Sequence, residues 1–260
     1  MGGGGFTMEP DNPALDDYVL SVAGAKDPRI CLLPTAGGDS EAQIHRYYAT
    51  FQDRPCEPTH VSLFRLGDNP VPLREHLLAQ DIIYVGGGSM VNLLAIWHAQ
   101  GLPAILREAW QRGIVLAGLS AGSMCWFEYG ITKSVGHPAI VKGLGFLPGS
   151  NSVHYDGEPE RRPIFLEAVR NATIPGGWGA DDGAALLFKG ARVCEVVGSR
   201  PHARAYHVAR TADGVLEDPI EPRQLPRPPK ATTETELAIG EFRGVNAARR
   251  AGGFRGPRRG

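Results

Sequence analysis

Short apolar runs alternate with amphipathic stretches of helix length over the first half of the chain. Arg29-Ile30-Cys31-Leu32-Leu33-Pro34, Asp81-Ile82-Ile83-Tyr84-Val85 and Gly113-Ile114-Val115-Leu116-Ala117 read as buried strands, and Val61 to Phe64 as a shorter one. Between them, helical patterns run from an Asp11-Asn12-Pro13 cap to Val22, from Ser40 to Phe51, from Met90 to Ala99 and from Pro103 to Arg112. Strands and helices in this alternation predict an α/β fold, a doubly wound and mostly parallel sheet flanked by helices, with the strand ending at Ala117 in its centre.

Beyond Trp126 the pattern loosens into connections containing Gly and Pro, with a strand position at Val153 and a helix from Arg162 to Arg170. Ala184 to Phe188, Lys189-Gly190 and Val193 to Val197 then form a hairpin signature, and Ala205 to Ala209 adds a further strand. One catalytic domain over 1–210 is expected, followed by a disordered tail over 211–260 in which Pro, Arg and Gly dominate. At the other end, the glycine turn Met1-Gly2-Gly3-Gly4-Gly5-Phe6 has the character of a segment that follows a strand. A first strand is therefore expected to be missing upstream of Met1.

Composition narrows the function. A hydrophobic share of 42% over 260 residues supports a sizeable core, and a net charge of −1 gives no electrostatic case for nucleic acid or acidic membranes. Cys31, Cys56, Cys125 and Cys194 are widely spaced without a C-x-x-C pair, as expected for reduced residues. No apolar stretch reaches bilayer length and no signal peptide opens the chain, so a cytoplasmic protein acting on small molecules or peptides is expected. No metal-ligand spacing such as H-E-x-x-H is present, and no cofactor is expected.

The chemistry-bearing stretch is Gly118-Leu119-Ser120-Ala121-Gly122, directly after an apolar strand. It has the form of a nucleophile elbow, in which flanking glycines permit a strained turn that exposes the Ser120 hydroxyl and frees the Ala121 N–H for an oxyanion. Val85-Gly86-Gly87-Gly88-Ser89-Met90 is a second strand end running through glycines into a helix, and this loop is placed to supply the other oxyanion donor. A serine needs a base, and of the eight histidines His154, in Asn151-Ser152-Val153-His154-Tyr155-Asp156, sits at a strand end after the elbow. For the acid that orients it, Asp182, Asp156 and Glu195 compete, and Asp181 or Asp182 also fit a plain turn before Gly183. Histidine so soon after serine, with the best carboxylate later still, disfavours an ordinary α/β-hydrolase order.

Gly86-Gly87-Gly88-Ser89, Gly118-Leu119-Ser120-Ala121-Gly122-Ser123, His154-Tyr155-Asp156 and Asp181-Asp182-Gly183 together resemble peptidase family S51, the dipeptidase E-like serine peptidases. The resemblance runs from Gly2 to Val208 and implies a class I glutamine amidotransferase-like fold. It implies Ser120 as nucleophile, His154 as base, Asp182 as orienting acid and the Gly88 and Ala121 amides as oxyanion hole. It further implies hydrolysis of small peptides, including dipeptides with an N-terminal aspartate held by Arg161 or Arg162, by a monomer or homodimer. Dipeptidase E proteins usually have Asn where this chain has Ser89. A cyanophycinase-like hydrolase is the neighbouring enzyme alternative, and a non-catalytic relative that binds a metabolite is the alternative from another class.

Overall fold

The computed structural model describes residues 1–226, and the expected tail beyond them lies outside the described residues. Four parallel strands form the first sheet, in the order β2 (Glu57–His60), β1 (Arg29–Leu33), β3 (Ile82–Val85) and β4 (Val115–Gly118). Alternation along β1 and β3 sends Ile30, Leu32, Ile82 and Tyr84 to one face, where they pack with Phe6, Val19, Tyr47 and Phe51. These come from α1 (Gly5–Met8), α2 (Ala14–Val22) and α3 (Glu41–Phe51). Cys31, Leu33, Ile83 and Val85 face the opposite way and join Leu93, Trp97, Leu102 and Leu106. Those residues belong to α5 (Met90–Ala99) and α6 (Leu102–Gln111), while the short α4 (Leu73–Leu78) adds Leu77. A sheet buried on both faces by helices is the doubly wound arrangement that continuous apolar strands require.

The chain turns through α7 (Ala121–Met124) into a six-stranded sheet. Its order is β12 (Gly214–Ile220), β11 (Ala205–Thr211), β8 (Gly177–Ala180), β7 (Leu147–Val153), β5 (Phe127–Thr132) and β6 (Ala139–Lys142). Strands β5, β7 and β8 run parallel, with α8 (Arg161–Arg170) as the crossover, and β6, β11 and β12 are antiparallel additions. Strands β9 (Ala184–Lys189) and β10 (Arg192–Gly198) form the expected hairpin, extended by β13 (Arg223–Gln224).

Four expectations are corrected. The strand expected at Val61 to Phe64 is instead β2, and Leu63–Arg65 is a single 3₁₀ turn. The loose region after Trp126 holds β5 and β6, whose Tyr129-Gly130-Ile131-Thr132 and Ala139-Ile140-Val141-Lys142 are joined by Pro- and Gly-containing sequence that masks their alternation. The boundary expected near residue 210 falls later. Residues 211–226 are ordered because β12 pairs along its length with β11, and β13 pairs with β10. The elbow strand β4, expected in the centre, has β3 on one side and no paired strand on the other among the described residues.

Beneath the helical face, Tyr84 Oη donates to Asp16 Oδ1 at 3.0 Å, and both residues are fully buried. Burial pushes the Asp16 carboxyl from 3.8 up to about 7, against the opposing pull of the Tyr84 hydroxyl and the Phe6 N–H. A carboxyl raised on folding contributes full stability below its unfolded value, and that stability is lost as pH rises through about 7. Asp16→Asn keeps both acceptor contacts without the charge. Its melting temperature is expected to gain on the parent's as pH rises from about 5 to about 8, the parent losing at most about 1.4 kcal/mol per pH unit. Thermal unfolding across that range tests this, and parallel pH profiles for the two proteins would refute it.

Candidate active site

Parallel strands deliver their carboxyl ends to one edge, and the candidate site is built where those ends meet. In the first sheet Val85 pairs with Gly118, so the glycine loop after β3 and the turn after β4 emerge side by side. In the second, Val153 pairs with Ala180, so the residues after β7 and β8 also emerge together. The first pair supplies Gly86 to Gly88 and Ser120, and the second supplies His154 and Asp182.

Ser120 turns the chain from β4 into α7 with φ 53° and ψ −112°, in the positive-φ region that side chains rarely adopt. The turn closes only because its neighbours lack side chains. A Cβ on Gly118 would lie 1.9 Å from the Gly122 carbonyl oxygen, and one on Gly122 would lie 2.4 Å from that of Val85. His154 is also strained, at φ 52°. Two such residues cost on the order of 1–3 kcal/mol each, a cost borne where surrounding structure fixes them.

The strained turns bring three side chains into line. Ser120 Oγ lies 2.9 Å from His154 Nε2, and His154 Nδ1 lies 2.6 Å from Asp182 Oδ1. Burial alone would raise the Asp182 carboxyl. The hydrogen bond and charge of His154, aided by Arg200 and Arg161, outweigh it and hold that carboxyl below its usual range. A carboxylate bound to Nδ1 fixes that nitrogen as the N–H donor and leaves Nε2 as the acceptor facing Ser120.

The other carboxylates weighed for this position are engaged elsewhere. Asp156 accepts the Asp182 backbone N–H at 2.9 Å and so supports the loop from behind. Asp181 accepts the Arg204 N–H at 2.9 Å, and burial raises its carboxyl to about 6. Glu195 is tied to Arg223 and Tyr18.

The N–H groups of Gly88 and Ala121 make no backbone hydrogen bond among the described residues. Gln43 Nε2 donates to the Gly87 carbonyl at 3.3 Å. Because a trans peptide points its C=O and N–H in opposite directions, anchoring the Gly87 oxygen on α3 turns the Gly88 N–H away from the helix. The Ser89 N–H donates to the Ala36 carbonyl at 2.8 Å and pins the next peptide, and Gly88 itself sits at φ 142° with no room for a Cβ. Ser89 accepts the Asn92 N–H at 3.2 Å and caps α5.

Two features of the site escaped the sequence reading. Gln43 carries a faint signal, being a polar residue at four-residue spacing with the buried Tyr47 and Phe51. The opening glycines carry another. Met1 O accepts the Ser120 N–H at 3.3 Å, Gly3 O accepts the Gly183 N–H at 3.0 Å, and a Cβ on Gly3 would come within 2.1 Å of Asp182 Oδ1. The first three residues thus brace the back of the serine–histidine–aspartate line.

Arg161 and Arg162 are not brought into that line. Arg161 is buried, with its guanidinium on Glu158 and on the Ile131 carbonyl at 3.0 Å. Arg162 pairs with Glu217, and its guanidinium lies 5.2 Å from the Tyr155 ring centroid and 5.0 Å from that of Tyr206. No helix of the described residues is long and apolar enough to cross a membrane.

A serine held by an imidazole, beside free backbone amides at the strand ends of an α/β sheet, defines the hydrolase class of site. The chain belongs to peptidase family S51, whose model matches residues 1–196. It is 48% identical to an uncharacterized peptidase, YgaJ, of Bacillus subtilis (strain 168), over 225 residues that cover 86% of this chain and 97% of that protein. Among solved structures it resembles a peptidase from an acI-B1 Actinobacterium with a TM-score of 0.65 at 23% identity, covering 85% of this chain and 92% of that one, which shows a shared fold.

The 2.6 Å contact of Asp182 has a spectroscopic consequence. A strongly deshielded imidazole N–H proton is expected in the ¹H NMR spectrum and should vanish in Asp182→Asn while the fold persists. The same resonance in both proteins would place the short bond elsewhere.

Proposed function

We propose that this peptidase is of the serine type and hydrolyses small peptides through Ser120, His154 and Asp182. The observation that carries the reading is the unbroken hydrogen-bond line from Asp182 through His154 to Ser120. Ser120 Oγ attacks the scissile carbonyl carbon as its proton passes to His154 Nε2, and the carbonyl π electrons move onto oxygen. The Gly88 and Ala121 N–H groups receive that oxyanion. Collapse re-forms the carbonyl and breaks the C–N bond, with the leaving amine taking the proton from Nε2. Water then repeats the sequence on the acyl-enzyme, releasing the acid and restoring the Ser120 hydroxyl. Asp182 stays ionised throughout and stabilises the imidazolium, which its lowered pKa favours.

An N-terminal aspartate preference is left out of the proposal because the guanidiniums of Arg161 and Arg162 both have protein carboxylates as partners. The substrate class is decided by a dipeptide library assayed beside aspartyl-arginine polymer, release of β-aspartyl-arginine marking the cyanophycinase-like alternative.

Ser120→Ala is expected to lower turnover by on the order of 10⁴-fold or more and to abolish labelling by a fluorophosphonate probe. Labelling of the parent protein at another residue, or none at all, would exclude the serine mechanism and favour a metabolite-binding relative. Gln43→Leu removes the anchor of the Gly87 carbonyl without touching the triad. It should lower kcat about 10- to 100-fold with KM little changed, since an oxyanion donor acts mainly in the transition state. A rise in KM with unchanged kcat would instead assign Gln43 to substrate binding.

A further inference from the structure

The loops that leave β1 and β2 border a cavity of about 370 Å³ in which no member of the serine–histidine–aspartate line takes part. Asp39 and the first turns of α3 wall it on one side, and His60, Ser62 and Arg65 on the other. Asp39 is 5% exposed, and its backbone sits at φ 53°. Its Oδ2 accepts the Phe64 N–H at 2.9 Å, while Oδ1 is buried without a hydrogen-bond partner. Burial holds the carboxyl above its usual range, against the opposing pull of the Phe64 N–H, His60 and Arg65. A buried carboxylate oxygen left unmatched is costly, and a donor brought in through the cavity removes that cost.

Charge narrows the choice of donor. Asp39, Glu41 and Asp68 share this lining with a single guanidinium, that of Arg65, which already pairs with Glu41 at 3.1 Å. His60 is held at Nδ1 by the Tyr48 hydroxyl at 2.8 Å, and burial lowers its pKa, so near neutrality it adds no charge. An anion would meet an excess of like charge, and an apolar group would leave Asp39 Oδ1 unmatched. A metal ion needs several ligating side chains on one point, and no group of three converges in that way among the described residues. An organic cation carrying N–H donors satisfies both conditions.

One short segment separates this cavity from the oxyanion loop. Within it Ala36 gives its carbonyl to the Ser89 N–H, a Cβ on Gly37 would lie 3.5 Å from the Gly87 carbonyl oxygen, and Asp39 reaches the cavity. On α3, Gln43 bonds the Gly87 carbonyl while its neighbours Ile44 and His45 line the cavity.

We propose that this cavity is a binding site for an ammonium or guanidinium group, with Asp39 as its buried counter-ion, next to the oxyanion loop. Two sources share that chemistry: a free amine, and the basic side chain of a peptide whose scissile carbonyl reaches Ser120. The second rests on the serine peptidase reading above, and the first is independent of it.

The test titrates n-butylammonium and n-butylguanidinium into the full chain beside neutral n-butanol, following the Phe64 amide and the His45 and His60 ring protons by NMR. Both cations should move these resonances saturably, and butanol should not. Asp39→Asn keeps an acceptor for the Phe64 N–H, tolerates the positive φ and removes the charge. It should weaken cation binding at least about tenfold. Butanol acting as the cations do, no saturable response to either cation, or equally tight binding by Asp39→Asn would each overturn the proposal, and the comparison within the parent protein holds whether or not the variant folds. The source is read in Ser120→Ala, where nothing turns over, with the dipeptides Ala-Lys and Ala-Arg against Ala-Leu. Joint movement of the Phe64, Gly88 and Ala121 amides by the basic dipeptides alone assigns the cation to a substrate side chain. Phe64 and His60 moving without Gly88 and Ala121, or only with the butyl cations, assigns it to a free amine.

Discussion

The serine–histidine–aspartate line depends on parallel pairing at two strand ends, Val85 beside Gly118 and Val153 beside Ala180. Parallel strands end on one edge of a sheet, and their connections leave from that edge with free backbone groups and no neighbour above them. The first pair carries the glycine loop and the serine, and the second carries the histidine and the aspartate. Neither sheet holds the site alone. The 2.9 Å contact between Ser120 and His154 is the place where the two meet, so a register slip in either sheet would separate groups that work only within hydrogen-bond reach.

The same dependence explains where strain is held. Ser120 and His154 both adopt positive φ, and each follows directly on a strand or a single residue beyond one. Val85, Leu119, Ala121 and Val153 are buried around them, and Gly122 packs on the Val85 carbonyl at a distance only glycine allows. Burial of a few large side chains offsets a strain of this size, at about 1.5–3 kcal/mol each. Relaxing either turn would require opening that contact, so the hydroxyl and the imidazole face each other before any substrate arrives.

How far the chain could be read before its structure was known follows from the range of each interaction. The strand–glycine–serine turn is local, and Ser120 announced itself through neighbours at fixed offsets. The helices of the first half were readable for the same reason, since their faces repeat within a few residues. His154 and Asp182 were selected partly by a family resemblance, because nothing local separates Asp182 from Asp181, Asp156 or Glu195. What separates them is the pairing of β7 with β8 and the Asp156 side chain that supports the Asp182 N–H, both contacts across more than twenty residues. β12 was missed because its Glu217, Asp218 and Pro219 read as solvated tail, whereas Glu217 bonds Tyr155 at 2.6 Å and pairs with Arg162. Arg162 shows the same range effect, since a guanidinium that looks available in sequence has a carboxylate brought to it by a later strand.

The opening residues tie the two sheet edges to each other. Met1 contributes its nitrogen to the β4 edge and its carbonyl to the Ser120 N–H, and Gly3 lies against the Asp182 carboxylate, so one short segment touches the serine at one end and the aspartate at the other. Its rigidity therefore bears on both ends of the serine–histidine–aspartate line. The Met1 nitrogen on the Gly118 carbonyl and Ser123 Oγ, the Gly2 N–H on the Ala184 carbonyl and the Gly3 carbonyl on the Gly183 N–H hold that segment, so loosening any one of them loosens both ends together.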